Sequence, residues 1–166
     1  MKKLFGKIIC LSLIIFFVCK VDQVKSLIPY YYFPTTRNLR KESLSIGKNA
    51  YQLLYLGQYK ESLNLARLAI KINKTDAKLW LILSEAQVAN KLYTNALNSL
   101  NQAQKINSNL SEIYFAKSNI YFEITQFQNA KKALSIGLSI EPNNHKAIFQ
   151  LGNILLMEKN YLDAIK

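Results

Sequence analysis

Aromatic residues recur along this chain at a constant interval of 34 positions, and each is followed three residues later by a small residue. The aromatic members are Tyr59, Tyr93, Phe127 and Tyr161, and the small ones are Ser62, Ala96, Ala130 and Ala164. A repeat of this length forms one helix–turn–helix unit, which buries its apolar face by stacking against its neighbours. The sequence therefore predicts an all-α solenoid that works by presenting a surface.

Aligning the repeats at this interval shows further positions that are always bulky or always small. The fourth position is Ile46, Trp80, Tyr114 and Ile148, and the eighth is Ala50, Ser84, Ser118 and Gly152. Small residues at fixed places let two antiparallel helices approach closely, while a bulky residue opposite fills the gap. We therefore predict paired helices within 43–74, 77–108 and 111–142, with turns near Gly57, Lys91 and Thr125.

This arrangement resembles the tetratricopeptide repeat (TPR) family. The second repeat matches the family pattern at Trp80, Leu83, Ala96, Leu100 and Ala103, and the third adds Tyr121 and the closing proline, Pro142. The first repeat departs from the pattern, with Asn49 where leucine is usual and Lys74 where proline is usual. The resemblance implies a TPR-type α-solenoid over 43–166, with repeats at 43–76, 77–110 and 111–144 and a partial repeat at 145–166.

An apolar segment precedes the repeats. Three lysines come before an apolar run from Ile8 to Cys19, and twelve helical residues span about 18 Å against roughly 30 Å of membrane hydrocarbon. Residues 1–26 are therefore predicted to be either a signal peptide or a membrane anchor, with residues 1–19 contacting the membrane. Residues 27–42 are predicted to be an aromatic and proline-rich linker that leads into the first helix.

Charge and residue types argue against nucleic-acid binding and against catalysis. The net charge is +12, but the lysines are scattered singly and form no basic cluster, so no nucleic-acid partner is predicted. Both cysteines lie in the apolar segment, and the single histidine, His145, is expected to be exposed at a helix start. Glu85, Glu112 and Glu123 are expected to be solvated or in salt bridges. The protein is predicted not to be an enzyme and to use no cofactor or metal.

The resemblance also implies where a partner binds, because the first helix of each TPR lines a groove. The predicted groove residues are Tyr51, Leu81, Val88, Phe115, Asn119, Phe122, Phe149 and Asn153. Such a groove suits an apolar helix or an extended segment of a partner protein. The alternative is that several of these aromatic side chains belong to the core between repeats. A TPR subtype grips the C-terminal carboxylates of chaperones, and its basic and amide residues are replaced here by Gly47, Tyr51, Glu112 and Ala116.

The order of an N-terminal apolar segment and then repeats, with a composition rich in Lys, Asn and Ile, resembles cyanobacterial and plastid TPR proteins related to photosystem I assembly. This resemblance implies a scaffold or assembly factor at a membrane, with a photosystem subunit as the partner. An uncleaved anchor implies the thylakoid or plasma membrane, whereas cleavage implies the periplasm or lumen. Two alternatives are the N-terminal recruiting array of a larger enzyme and an exported envelope TPR protein.

Overall fold

The computed structural model describes residues 36–157, and this part of the chain consists of helices joined by short loops. They are α1 (Thr36–Tyr55), α2 (Tyr59–Ile72), α3 (Ala77–Ala89), α4 (Tyr93–Ile106), α5 (Ser111–Glu123), α6 (Phe127–Ile140) and α7 (His145–Met157). No strand occurs between residues 36 and 157, and no helix there is long and apolar enough to cross a membrane. The predictions for residues 1–26 and for most of the linker lie outside the described residues.

The helices pack in the order expected of a TPR-type α-solenoid. Within each repeat, α1 packs on α2, α3 on α4, and α5 on α6; each second helix then packs on the first helix of the next repeat. The first helices also contact one another, α1 with α3 and α3 with α5. The predicted all-α solenoid is confirmed. We call the surface formed by α1, α3, α5 and α7 the inner face.

The same turn joins the two helices of each repeat. One residue in each turn has a positive φ, which is 76° at Gly57, 59° at Lys91 and 60° at Thr125. The next N–H donates to a carbonyl five positions earlier: Gln58 to Leu53 (2.9 Å), Leu92 to Gln87 (2.8 Å) and Gln126 to Tyr121 (2.7 Å). These bonds satisfy carbonyl groups left open at the end of the first helix and reverse the chain. The turns lie at the three residues that the repeat alignment indicates.

Hydrogen bonds from aromatic side chains fasten the loops between repeats. Trp80 donates through Nε1 to the carbonyl of Lys74 at 2.8 Å, and the Tyr114 hydroxyl donates to the carbonyl of Ser108 at 2.8 Å. Both donors occupy the fourth position of a repeat, and both acceptors lie six residues earlier. The repeat pattern alone marks this position only as bulky. Its polar atom adds a second role, which is to hold the preceding loop.

The core is a series of three apolar clusters, each shared by three consecutive helices. The fully buried members include Ala50, Ala66, Leu79 and Ala86 in the first cluster, Ala96, Leu100, Ala103 and Ile113 in the second, and Ala130, Leu134 and Ile154 in the third. Ser62, at one of the repeated small positions, is fully buried, and its hydroxyl donates to the carbonyl of Ala50 at 2.8 Å. The small positions therefore mark close contacts between helices.

Candidate peptide-binding groove

Helical geometry shows which residues of α3 face outward on the inner face. The buried residues of α3 cover one side of the helix, and with about 100° between successive residues Glu85 lies at the centre of the opposite side. Its neighbours on that side are half-buried and apolar: Leu81, Ile82, Val88 and Ala89. The positions equivalent to Glu85 in the other repeats are Tyr51, Asn119 and Asn153. We call these four residues the central row.

The predicted groove residues fall into two groups. Tyr51 is 55% exposed, Phe149 is 71% exposed, Asn119 is also exposed and Asn153 is half-buried. The other four are half-buried and pack against the apolar clusters: Leu81, Val88, Phe115 and Phe122. The open positions are therefore Tyr51 and Asn119 of the central row and Phe149 beside it, whereas the half-buried apolar residues contribute mainly to contacts between helices. Binding of a partner by any of these side chains stays a prediction.

Phe115 and Phe122 show why apolar groove positions are shared with the core. The ring of Phe115 lies so close to the backbone of α6 that a Cβ atom at Gly137 would overlap it. The ring of Phe122 contacts that of Phe127, with centroids 5.7 Å apart and planes inclined at 59°. Both aromatic side chains therefore join helices within the third repeat, which agrees with the core alternative for these two residues.

A cleft of about 360 Å³ opens between α5 and α7. Its lining residues are Phe115, Asn119, Asn144, Lys146, Ala147 and Gln150. The side-chain amide of Gln150 donates to Asn119 Oδ1 and, at 3.4 Å, to Ser118 Oγ, so the two helices are linked across the cleft floor. Asn144 caps α7 by accepting a 3.0 Å hydrogen bond from the N–H of Ala147. A cleft lined by amides can both donate to and accept from a peptide backbone.

Glu85 differs from the sequence-based expectation for the groove glutamates. Its side chain is half-buried, and within residues 38–157 it makes neither a hydrogen bond nor an ion pair. Burial alone raises the pKa of the Glu85 carboxyl from 4.5 to about 6. Of the two expected states, the salt bridge is absent for Glu85 within residues 38–157, and its carboxyl is only partly solvated. Glu112 and Glu123 are exposed, as expected.

Lys117, unlike Glu85, has a hydrogen-bond partner on a neighbouring helix. Its Nζ donates to Gln104 Oε1 at 2.5 Å, which ties α5 to α4 away from the inner face. Burial lowers the pKa of the Lys117 ammonium group. The hydrogen bond between Lys117 and Gln104 therefore holds α5 and α4 together, and the ammonium group does not serve as a charge for a ligand.

The inner face carries little net charge, although the chain as a whole is strongly basic. Among residues 38–157, the charged side chains on the inner-face side of the first helices are Arg40, Lys48, Lys78, Lys146, Glu85, Glu112 and Glu123. Four basic and three acidic side chains give a formal charge of +1 there, against +12 for the chain. The excess positive charge therefore lies elsewhere. Among the described residues, no three His, Cys, Asp or Glu side chains are grouped so as to hold a metal ion, and His145 is exposed as expected.

A comparison with protein families identifies the repeat. Residues 111–144, which comprise α5, α6 and the loop after them, match the tetratricopeptide repeat family model. The array has the fold of a TPR solenoid, and its third repeat matches the family at the level of sequence. The matched segment coincides with the third repeat of the alignment, so the repeat boundaries of the family and of this chain agree there.

Several solved structures share the fold of the array. The first TPR of Spaghetti (RPAP3), bound to the HSP90 peptide SRMEEVD, has a TM-score of 0.67 at 20% identity, over 72% of this chain and 94% of that chain. MamA has a TM-score of 0.67 at 17% identity, over 78% of this chain and 80% of the MamA chain. A third similar structure is the Yersinia enterocolitica type III secretion chaperone SycD in complex with a peptide of the translocator YopD. Its TM-score is 0.62 at 14% identity, over 69% of this chain and 92% of the SycD chain.

One curated relative is the formate-dependent nitrite reductase complex subunit NrfG of Escherichia coli O157:H7. It is 26% identical over 100 residues, which are 58% of this chain and 50% of the relative. This chain therefore spans about half the length of that relative.

Proposed function

We propose that the TPR array is a protein-binding scaffold whose inner face holds a segment of a partner protein. The observation that carries this proposal is the central row, in which Tyr51, Asn119 and Asn153 stand at equivalent places on successive first helices. Aromatic and amide side chains at one-repeat spacing suit an extended segment, because rings contact its side chains and amides bond to its backbone. The cleft between α5 and α7 adds depth beside Asn119.

The structural neighbours support a peptide ligand by their fold. The RPAP3 repeat and SycD are both described with bound peptides. The inner face of this array nevertheless has its own chemistry. Gly47 is buried, and a Cβ there would lie 2.6 Å from Leu79 Cδ2, so this position offers nothing to a ligand. Tyr51 and Glu112 stand where the carboxylate-gripping subtype has polar amide or basic groups. A partner segment bound through its interior is therefore favoured over a free C-terminal carboxylate.

Assembly of a photosystem I subunit at the thylakoid membrane is the finer form of this proposal. Its support is a resemblance to assembly-related TPR proteins in layout, with an apolar N-terminal segment before the repeats, and in a composition rich in Lys, Asn and Ile. The name of the curated relative places that protein in another multi-subunit redox complex, which agrees with a role in complex assembly. Attachment through residues 1–19 would keep the array beside such a complex.

Affinity capture with matched variants tests the scaffold. Full-length protein would be used to capture partners from membranes of the source organism, in parallel with Tyr51→Ala, Asn119→Ala and the outer-helix control Lys71→Ala. We expect one protein to be captured by the wild type and the control, and to fall by about tenfold in both inner-face variants, since exposed aromatic and amide anchors concentrate binding energy. Mass spectrometry identifies it, and a photosystem I subunit is expected.

Equal capture by all four proteins would refute binding on the inner face. A partner that depends on Tyr51 and Asn119 but is not a photosystem subunit would refute only the finer proposal. N-terminal sequencing addresses attachment: an intact Met1 in carbonate-washed membranes supports an anchor, whereas a start at Leu27 supports cleavage and an exported protein.

A further inference from the structure

The centre of the inner face carries a carboxylate that has no partner. Glu85 lies on α3, which is contacted on either side by α1 and α5. It is the sole charged member of the central row, and its carboxylate makes no hydrogen bond or ion pair with any residue in 38–157. Taking a charge out of water without compensation costs free energy. A side chain placed this way has unused capacity to interact with a positive charge.

The surroundings of Glu85 match the shape of a lysine or arginine side chain. Leu81 and Val88 lie one turn before and after it on the same side of α3, and both are half-buried. The exposed ring of Tyr51 occupies the equivalent place on α1, and packed helices lie about 8–10 Å apart. Apolar surface accommodates the methylene stem of a long cationic side chain, and an aromatic ring attracts its charge.

Nearby positive charges of the chain itself are set apart from this carboxylate. Lys78 shares its helix side but lies seven residues away, about 10.5 Å along the axis. Lys48 and Arg40 on α1 are exposed, and Arg40 lies eleven residues before Tyr51, about 16.5 Å along the axis. The other acidic groups on this side of α3 and α5 are Glu112 and Glu123. A ligand can therefore reach Glu85 without displacing an internal ion pair.

We propose that Glu85, together with Tyr51, forms a recognition site for a lysine or arginine side chain within the bound segment. This inference rests on the proposed function, because it names the chemistry of the ligand that the inner face holds. The partner segment is thus apolar with one cationic residue that reaches the middle of α3. At pH 7.5 the carboxyl is ionised, since burial raises its pKa only to about 6.

The overall charge of the chain would by itself favour acidic peptides, which is the opposite of the proposed preference for lysine or arginine. A protein with a net charge of +12 attracts acidic peptides and repels basic ones at long range. At about 0.15 M salt the screening length is about 8 Å, so long-range repulsion is weak and a local site decides the selectivity. A preference for basic peptides must therefore come from a specific carboxylate.

A peptide array tests the site directly. Full-length protein in mild detergent, at pH 7.5 and about 0.15 M salt, would be applied to random octapeptides with blocked ends, in which one position is fixed as Lys, Arg, Glu or norleucine. We expect retention on Lys and Arg peptides to exceed that on norleucine peptides by about fivefold to tenfold, as one charge-assisted contact provides. Glu85→Gln should remove this preference, and Glu85→Lys should shift it toward Glu peptides.

Glu123→Gln is the matched control, because it makes the same change of charge at an exposed position of the inner face. It should keep the Lys and Arg preference, and Tyr51→Ala should reduce it. Retention without any charge preference, a preference that survives Glu85→Gln, or one lost equally in Glu123→Gln would overturn this inference and leave the scaffold proposal standing. No retention of any octapeptide would overturn both.

Discussion

Individual polar atoms explain residues that the repeat alignment classifies only by size. Ser62 fills a small position, yet its hydroxyl satisfies the carbonyl of Ala50 inside the first repeat. Trp80 and Tyr114 fill a bulky position, yet each holds the loop before its helix. A buried polar group without a partner is costly, so these hydrogen bonds restrict which bulky or small residue each position accepts.

Tyr114→Phe should lower the free energy of unfolding by about 1 kcal/mol, because it removes the hydroxyl that donates to the carbonyl of Ser108. Tyr55→Phe is the control, since Tyr55 is 92% exposed and its hydroxyl bonds to water in either state. Urea unfolding followed by circular dichroism measures both. Equal midpoints for Tyr114→Phe and the wild type would show that this bond adds nothing to stability.

Glu85 should make stability depend on pH. Burial raises the pKa of its carboxyl from 4.5 in the unfolded chain to about 6 in the folded chain, so the folded state binds this proton more tightly. The resulting stabilisation is fully present below pH 4.5 and is lost as pH rises through 6. The loss is about 1–2 kcal/mol after allowance for partial exposure.

Glu85→Gln should abolish that dependence and make the chain relatively more stable at neutral pH. The quantity to measure is the difference in free energy of unfolding between variant and wild type, across the window from pH 4.5 to above 6. Other carboxyl groups cancel in this difference. A difference that stays constant with pH would mean that the Glu85 carboxyl titrates normally.

At the scale of helices, the turn inside each repeat is defined by backbone conformation more strongly than by residue type. Glycine occupies the left-handed position in the first repeat, where φ is 76°, but lysine and threonine occupy it in the next two. Residues other than glycine adopt this conformation at a cost, which is largest for β-branched side chains. The hydrogen bonds that close each helix hold the unfavourable residues in place.

Thr125→Gly should therefore raise the free energy of unfolding by about 1 kcal/mol. Little is lost with the side chain, because its hydroxyl bonds only to the adjacent Ile124 carbonyl at an exposed site. Gly57→Ala is the converse control and should lower stability, although its Cβ would meet no atom within 4 Å. Thermal unfolding of both variants gives the comparison, and a Thr125→Gly variant less stable than the wild type would contradict the left-handed turn.

The close contact between α5 and α6 is the basis of a second prediction at the scale of helices. Gly137→Ala should destabilise the array by about 1–3 kcal/mol, because the added methyl overlaps the Phe115 ring. Phe115→Leu in the same chain should recover part of that loss by removing the overlapping edge of the ring. A double-mutant cycle with no coupling between the two sites would show that Phe115 points away from α6 and is free for a ligand.

At the scale of the array, each apolar cluster spans three consecutive helices, so neighbouring repeats stabilise one another. The first helices belong to two clusters each in the middle of the array, and this places one side of α3 and α5 in the core and the other on the inner face. Stability and ligand binding therefore share these helices. The low net charge of the inner face distinguishes it from the basic remainder of the chain.

Binding should consequently depend weakly on salt. Raising the salt concentration from about 50 to 200 mM should weaken binding of a retained Lys octapeptide by less than about threefold, because a single ion pair releases few counterions. Fluorescence anisotropy with a labelled peptide measures the affinity. A loss of a hundredfold or more would mean that several ion pairs, and not the single contact with Glu85, hold the peptide.

The amino-acid order is enough to predict the solenoid, the positions of the turns and the small contact residues, because a 34-residue period imposes the same helix pair each time. The repeat register also predicts which few positions of each first helix lie on the inner face. Tertiary structure decided which of those side chains stay open, turning Phe115 and Phe122 toward α6 while leaving Tyr51 and Asn119 exposed. It alone left Glu85 half-buried without a partner. Periodicity gives the direction of a side chain from its own helix, whereas burial depends on neighbouring helices that are distant in the chain.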